Sequence, residues 1–335
     1  MLVSEKYYYK KVLLLNFILS CLIVTIHSIV PERYGVPLDK YPFVCSVVLF
    51  CKVATPTFFF LSAVLFYRNC CFMDLKRKLI RRVHSLLIPF ILWNTFFVLI
   101  YYILTHLPFL SEKLNTTPVS LSPEDLLAAI LNSEHTDLWF IRNLMVYTVL
   151  SPVFLLVLKN KILTITIYIT SLFYVLCNGV GHYELITWIP IYLMGAMWGY
   201  YGWSNIRINS RIIKYIVPIL FVFIYVGVYY GYIDLKIMRN ISPILIWMLF
   251  DIFIYEYLND KFETRDYFGY TFFIYATHHF VLNIMQKIVV IFFLPTQLVV
   301  NITFVITPII TVVLLVLGCR MIKNTKVYMV MCGRR

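Results

Sequence analysis

Several ionisable side chains stand inside long apolar runs of this sequence. They are His27, Lys52, Arg142, Asp251, His278, His279 and Lys287. If these runs cross a bilayer, each ionised side chain costs roughly 3 kcal/mol or more, so such groups usually face a cavity or a partner. We therefore expect a helix bundle with a polar pocket in its interior.

His27 is the strongest catalytic candidate of this set. A neutral imidazole can take a proton from an alcohol at physiological pH. Asn16 precedes it by three helical turns, on the same helix face and roughly 16 Å away along the axis. A histidine in an apolar run fits an enzyme or a transporter, and the residues alone do not choose between these classes.

The other ionisable groups also have structural explanations. Arg142 is close to the outer end of its run and could extend to the interface without binding a ligand. Lys52 could form an ion pair with Asp251. His278 and His279 point about 100° apart on a helix, so we expect one to face the pocket and the other to be a hydrogen-bonded packing residue.

Composition indicates which elements position these groups. Of the 335 residues, 61% are apolar and 13% are charged, against about 25% charged in soluble proteins. Runs of about 20 apolar residues are long enough to cross a bilayer. The candidates are 12–30, 43–67, 83–104, 139–158, 162–178, 185–202, 212–231, 241–258, 270–292 and 298–319. We predict an all-α, polytopic membrane bundle of about ten transmembrane helices, forming a single membrane domain over 1–335 without a separate soluble domain.

The basic residues predict the topology. With the N-terminus in the cytoplasm, most Lys and Arg fall on the cytoplasmic side. The opposite side holds Arg33, Lys40, Lys113, Lys236 and Arg239. This bias predicts that both termini are cytoplasmic, and it explains the net charge of +13 without nucleic acid as a partner. The cysteine spacing predicts neither a disulfide framework nor a metal site.

The longest external loop contains a helix start signal. Ser122 is a good N-cap residue, Pro123 suits the first helical position, and Glu124 and Asp125 suit the positive helix end. We therefore predict a short surface helix beginning at Ser122.

Five segments, taken in order, carry a family resemblance. They read NFILSCLIVTIHS from Asn16, PTFFFLSAVLFYR from Pro56, KLIRRVHSLLIPFILWN from Lys78, LWFIRNLM from Leu138 and FIYATHH from Phe273. Together they resemble the acyltransferase family 3 proteins, which are bacterial membrane acyltransferases. Two positions depart from that family's pattern: Asn16 stands where many members have Arg, and Ser85 replaces the second Arg of an Arg-x-x-Arg.

The resemblance implies a reaction. An acyl group, commonly acetyl, would pass from cytoplasmic acyl-CoA to a hydroxyl of a surface polysaccharide or lipid-linked glycan at the bacterial cytoplasmic (inner) membrane. Acyl-CoA, as acetyl-CoA, would be a co-substrate, and no cofactor would be bound permanently. His27 would act as general base or carry the acyl group. Supporting residues would be Asn16, Ser62, His278 and His279.

The resemblance also implies binding residues. The basic stretch of Lys76, Arg77, Lys78, Arg81 and Arg82 would hold the CoA phosphates. The acceptor would contact Trp139, Arg142, Lys52 and Lys287. Counted from the cytoplasmic helix ends, His27 and His278 differ by roughly 10 Å in depth, which would assign them to different steps. The expected partners are membrane lipid, acyl-CoA and the glycan. The alternative function is a polysaccharide or lipid-linked oligosaccharide transporter, or a polymerase, without acyl transfer.

Overall fold

The described part of the chain is helical. The computed structural model describes residues 5–107, 119–134, 136–179, 181, 183–205, 211–257 and 263–333, and these residues form helices and no strand. The all-α prediction is confirmed. The α-helices are α1 (Glu5–Ile26), α2 (Pro42–Cys51), α3 (Ala54–Tyr67), α4 (Phe72–Arg82), α5 (Ile88–His106), α6 (Pro123–Asn132), α7 (Trp139–Val149), α8 (Ser151–Lys159), α9 (Lys161–Cys177), α10 (Ile189–Tyr200), α11 (Arg211–Tyr229), α12 (Leu235–Tyr257), α13 (Thr271–Phe292), α14 (Gln297–Ile322) and α15 (Lys326–Met331).

Short helical turns connect several of these helices. A π-helix, Val83–Leu87, joins α4 to α5. The 3₁₀-helices are Pro31–Tyr34, Leu38–Lys40, Leu185–Trp188, Trp203–Asn205 and Asp266–Tyr270.

The apolar helices are long enough for a polytopic membrane protein. Within the described residues, 7 helical segments have the length and composition to cross a membrane, and α7 with α8, taken together as one broken span, raise the number to 8. Two shorter apolar segments, Lys161–Cys177 and Leu185–Tyr200, accompany them. Every predicted run coincides with one of these segments, and the polytopic helical bundle is confirmed. The total of ten spans and the cytoplasmic termini stay predictions.

The chain divides into two compact units. Unit 1 comprises Met1–Phe72 and Pro152–Gly318, and unit 2 comprises Met73–Ser151 and Cys319–Arg335. The single membrane domain stays a prediction.

Close backbone packing joins α3 and α10 in unit 1. Gly195 and Gly199 stand one turn apart on α10 and face the carbonyl oxygens of Phe60 and Val64. A Cβ atom on Gly195 would lie 2.9 Å from the Cα of Phe60, closer than any side chain can sit. Small residues at this spacing let membrane helices approach each other directly, and the gain is van der Waals contact.

A buried ion pair joins α1 to α12 in the same unit. The ammonium of Lys11 donates to Asp251 Oδ1 at 2.6 Å, with both side chains 3% exposed. The same ammonium lies 3.7 Å from the ring centroid of Trp247. The suggested pairing of Asp251 with Lys52 is therefore wrong. Helix α1 starts at Glu5, several residues before the predicted span, and so places Lys11 inside the bundle.

Unit 2 contains the short helix predicted to begin at Ser122 and a buried polar contact. Ser122 caps α6 by accepting from the Asp125 amide at 3.2 Å, as predicted. Hydrogen bonds from Ser120 and Ser122 hold the pKa of Asp125 below its usual value. In the interior, Thr136 donates to Asn94 Oδ1 at 2.7 Å.

Candidate active site

His27 lies just beyond the last residue of α1. At the end of the helix, Ser28 Oγ donates to the carbonyl of Thr25 at 2.8 Å and satisfies one of the terminal carbonyls. The carbonyl of His27 accepts from Gln286 Nε2 on α13 at 2.7 Å. The backbone at His27 is thus tied to a second helix, and its imidazole is half-buried.

Two further imidazoles from α13 stand beside His27. The ring centroid of His27 is 5.2 Å from that of His278 and 5.9 Å from that of His279. His278 is fully buried, and its Nδ1 lies 2.7 Å from the carbonyl oxygen of Tyr275. Because a carbonyl oxygen can only accept, Nδ1 carries the proton, and Nε2 is the acceptor in the neutral ring.

The paired histidines behave partly as expected. His278 is the hydrogen-bonded packing residue and His279 faces the cavity. The 100° between them does not remove His278 from the site, because its ring is even closer to His27. The expected depth difference of roughly 10 Å between His27 and His278 is wrong. Both spans begin four residues before their predicted starts, so counting along the helices does not bring the two depths together; the 5.2 Å between the ring centroids limits the difference directly.

A polar cavity opens beside His27. It measures about 450 Å³, within the range of small-molecule pockets. Its lining consists of Ile26, His27, Ile29, Arg33, His279, Leu282, Asn283 and Gln286. A second cavity in unit 1, about 380 Å³ beside Phe43 and Phe304, has an almost entirely apolar lining. Polar side chains therefore distinguish the His27 cavity as the place for a polar ligand.

Arg33 and Gln286 belong to this cavity, and the sequence reasoning missed both. His279, Asn283 and Gln286 follow one another at spacings of four and three residues, so they line one face of α13. This spacing in the sequence could have predicted that Gln286 lines the cavity with His279. No sequence pattern indicated Arg33, because the predicted topology already explained its charge.

A short turn carries Arg33 onto α13. Arg33 Nε donates to Gln286 Oε1 at 3.1 Å, and Nη2 donates to Asn283 Oδ1. The neighbouring Tyr34 hydroxyl donates to the carbonyl of Phe293 at 2.7 Å. Burial raises the pKa of Tyr34, so the phenol stays a donor at physiological pH. These contacts hold the Pro31–Tyr34 turn along the helix that supplies the histidines.

The structure does not bring four predicted residues of unit 1 into the described lining of the cavity. Asn16 is half-buried on α1, where its carbonyl accepts from Ser20. Ser62 is half-buried on α3, and Lys52 is exposed at the break between α2 and α3. Lys287 is exposed next to Gln286, close enough to Arg33 for their charges to repel.

The chain matches a family model described as an acyltransferase domain, that of acyltransferase family 3, over residues 14–319. The chain belongs to acyltransferase family 3. No curated protein and no solved structure matches it. The match covers nearly the whole chain and includes the cavity at His27. It confirms the resemblance that the five sequence segments indicated and assigns the chain to a membrane acyltransferase family.

The predicted donor-binding residues of this acyltransferase 3 protein lie on α4, in unit 2. Lys76, Arg77 and Arg81 are exposed, while Lys78 and Arg82 are half-buried. Arg77 is engaged in an ion pair with Asp74 at 2.6 Å. Basic side chains thus lie along α4 up to its last residue, Arg82, and the π-helix Val83–Leu87 follows directly.

The remaining acceptor candidates of the acyltransferase 3 chain lie at the start of α7. Trp139 is its first residue and is half-buried. Arg142 donates from Nη1 to the carbonyl of Leu131 at 3.4 Å. Leu131 is in the last turn of α6, whose carbonyls lack partners within the helix. The Arg142 guanidinium therefore already contacts the C-terminal end of α6. To bind the acceptor, Arg142 would have to keep this contact or give it up.

Proposed function

We propose that the protein moves an acyl group, acetyl in the simplest case, from cytoplasmic acyl-CoA to a hydroxyl of a surface polysaccharide or lipid-linked glycan. It does so in the cytoplasmic membrane of a bacterium. The observation that carries this proposal is the imidazole of His27 lining an open polar cavity within a chain of acyltransferase family 3.

The chemistry at His27 is general base catalysis. The imidazole takes the proton of the acceptor hydroxyl as the oxygen attacks the thioester carbonyl. The new carbon–oxygen ester bond forms, the carbon–sulfur bond breaks, and the imidazolium returns its proton to the CoA thiolate. His278 and His279 stand against His27 and fix the position of its ring. A two-step route through acyl-His27 uses the same atoms, with the acyl group resting on the imidazole nitrogen.

The basic face of α4 is the proposed site for the CoA phosphates. Guanidinium and ammonium groups form charge-assisted hydrogen bonds with phosphate oxygens. Exposed Lys76 and Arg81 are ready to do so. Arg77 would first exchange its exposed contact with Asp74, which contributes little to stability at such exposure.

The first experiment replaces His27 with Ala and with Gln and measures glycan acylation by the purified protein in lipid nanodiscs. We expect a loss of at least 100-fold, since general acid–base catalysis contributes about 10²–10⁴. His106→Ala, which removes an exposed histidine on α5, is the matched control and should retain activity. Full activity in both His27 variants would remove this residue from the reaction.

A second experiment separates acyl transfer from transport or polymerisation. The purified protein should consume acetyl-CoA only when a glycan acceptor is present. Arg81→Ala/Arg82→Ala should weaken acetyl-CoA binding at least tenfold. Arg320→Ala/Lys326→Ala, which removes two other exposed cations of unit 2, should not. No acetyl-CoA consumption with any acceptor would favour the transporter or polymerase, and unchanged donor binding would leave α4 as a topological anchor.

A further inference from the structure

Arg33 gives the His27 cavity a fixed positive charge. Its guanidinium is held by two neutral amides, Asn283 and Gln286. Among the described side chains, no carboxylate lies within ion-pair distance of Arg33 or Lys287. Amide oxygens orient a guanidinium but leave its charge uncompensated, because they are dipoles and not anions.

The guanidinium also retains hydrogen-bonding capacity. Arginine has five N–H donors in a planar fork, and the contacts of Arg33 with Gln286 and Asn283 use one on Nε and one on Nη2. The remaining donors lie on the two Nη atoms, the edge that grips carboxylate and phosphate oxygens in paired hydrogen bonds. A pre-oriented fork of this kind loses little conformational freedom when an anion binds.

One buried amide connects this charge to the catalytic histidine. Gln286 is 3% exposed; its oxygen accepts from Arg33 Nε, and its nitrogen donates to the carbonyl of His27. A single amide orientation satisfies both contacts. Arg33 and His27 are therefore held in a fixed relation at the wall of one cavity.

We propose that this cavity is an acceptor subsite for an anionic group, and that Arg33 binds a carboxylate or phosphate oxygen of the glycan while His27 faces the hydroxyl to be acylated. The inference rests on the proposed acyl transfer to a glycan and specifies the acceptor as acidic. Lys287, which is exposed beside Gln286, adds a second positive charge near the cavity and strengthens the attraction.

Chemical protection of the histidines tests this subsite without using activity. Diethyl pyrocarbonate modifies accessible imidazoles, and mass spectrometry reports the rate at His27 and at His279. In the nanodisc-embedded protein, we expect glucuronate or inorganic phosphate to slow modification at least fivefold, and glucose at the same concentration to leave it unchanged. Greater protection by glucuronate identifies an acidic sugar as the anion source, and greater protection by phosphate identifies a phosphorylated or lipid-linked acceptor.

The variants assign the effect to Arg33. Arg33→Gln should abolish protection, Arg33→Lys should retain part of it, and Lys40→Gln, which removes an exposed cation from the same external segment, should retain it all. An unchanged modification rate without added anion shows that the cavity of each variant is intact. Equal protection in Arg33→Gln and the wild-type protein, or no protection by either anion, overturns the proposal.

Acyl transfer kinetics separate this inference from the reaction itself. With an acidic oligosaccharide, Arg33→Gln should raise the acceptor KM at least tenfold, equivalent to about 1.4 kcal/mol, and leave the KM of acetyl-CoA unchanged. Acylation of neutral and acidic acceptors with equal efficiency would overturn the anionic subsite but keep the acyltransferase. Anion protection without acetyl-CoA consumption would keep the subsite and overturn the reaction.

Discussion

The side-chain amide of Gln286 donates a 2.7 Å hydrogen bond to the backbone carbonyl of His27, so the end of α1 is fixed by α13. Both groups in this contact are uncharged: one is a side-chain amide and the other is a backbone carbonyl. It therefore offers a way to disturb the position of His27 without altering its imidazole.

Gln286→Leu should lower kcat/KM for acylation about tenfold. The substitution keeps the side-chain volume close to that of glutamine. It removes the amide N–H that donates to the His27 carbonyl and the amide oxygen that accepts from Arg33. A hydrogen bond contributes about 1 kcal/mol net, and more when one partner is charged. Steady-state kinetics in nanodiscs measure the effect. Gln297→Leu, on the exposed first residue of α14, is the control, and equal kinetics for the two variants would contradict the role of Gln286.

His278→Asn should separate the folding role of this residue from its proposed catalytic support. The amide nitrogen of Asn can replace Nδ1 and donate to the Tyr275 carbonyl, whereas the position of Nε2 stays empty. We expect the melting temperature to change little and kcat to fall at least tenfold. His278→Phe should lower both. A His278→Asn protein with wild-type kcat would make His278 a packing residue only.

The Lys11–Asp251 pair should be strongly coupled. Lys11→Met or Asp251→Leu alone removes one member of a buried ion pair and should lower the free energy of unfolding by about 3–5 kcal/mol. Lys11→Met/Asp251→Leu should recover most of the loss, and thermal unfolding in nanodiscs measures all three variants.

The Arg77–Asp74 pair is the matched comparison for that cycle. It has the same 2.6 Å separation, but Arg77 is 65% exposed. Its coupling energy should stay below about 1 kcal/mol. Additive effects at Lys11 and Asp251 would show that burial does not strengthen their interaction.

Gly195→Val should destabilise unit 1 by about 1–3 kcal/mol or more, because its side chain would collide with the backbone of α3 near Phe60. Gly318→Val provides the control. Gly318 also lies within a long apolar helix, but among the described residues no atom outside its own stretch of helix lies within 4 Å of the position of an added Cβ. Comparable melting temperatures for the two variants would contradict direct contact between α3 and α10.

Hydropathy and local signals predict much of this fold. Runs of apolar residues identify the helices because a helix that crosses the hydrocarbon core must be long enough and mostly apolar. Both properties can be counted in the sequence. The cap at Ser122 is likewise a local property, since the residue that caps and the amide that it accepts from are three positions apart. Such features are readable because neighbouring residues alone determine them.

Long-range pairing was beyond the reach of local patterns. Lys11 and Asp251 are separated by 240 positions, and hydropathy assigned Lys11 to a cytoplasmic segment. In the sequence, Arg33 is one of several charges predicted on the external side, and no local pattern places the Pro31–Tyr34 turn along α13. Angular spacing on a helix also did not predict that both His278 and His279 would approach His27, because the end of α1 lies beside them.

The buried contact at Lys11 constrains how the reaction can proceed. Sliding α1 by one turn would carry Lys11 about 5.4 Å along the axis and break its ion pair with Asp251. If α1 moved back and forth along its axis during each reaction cycle, the ion pair between Lys11 and Asp251 would have to break every time. In the proposed reaction, His27 would therefore keep its position, and the thioester and the hydroxyl would both travel to it.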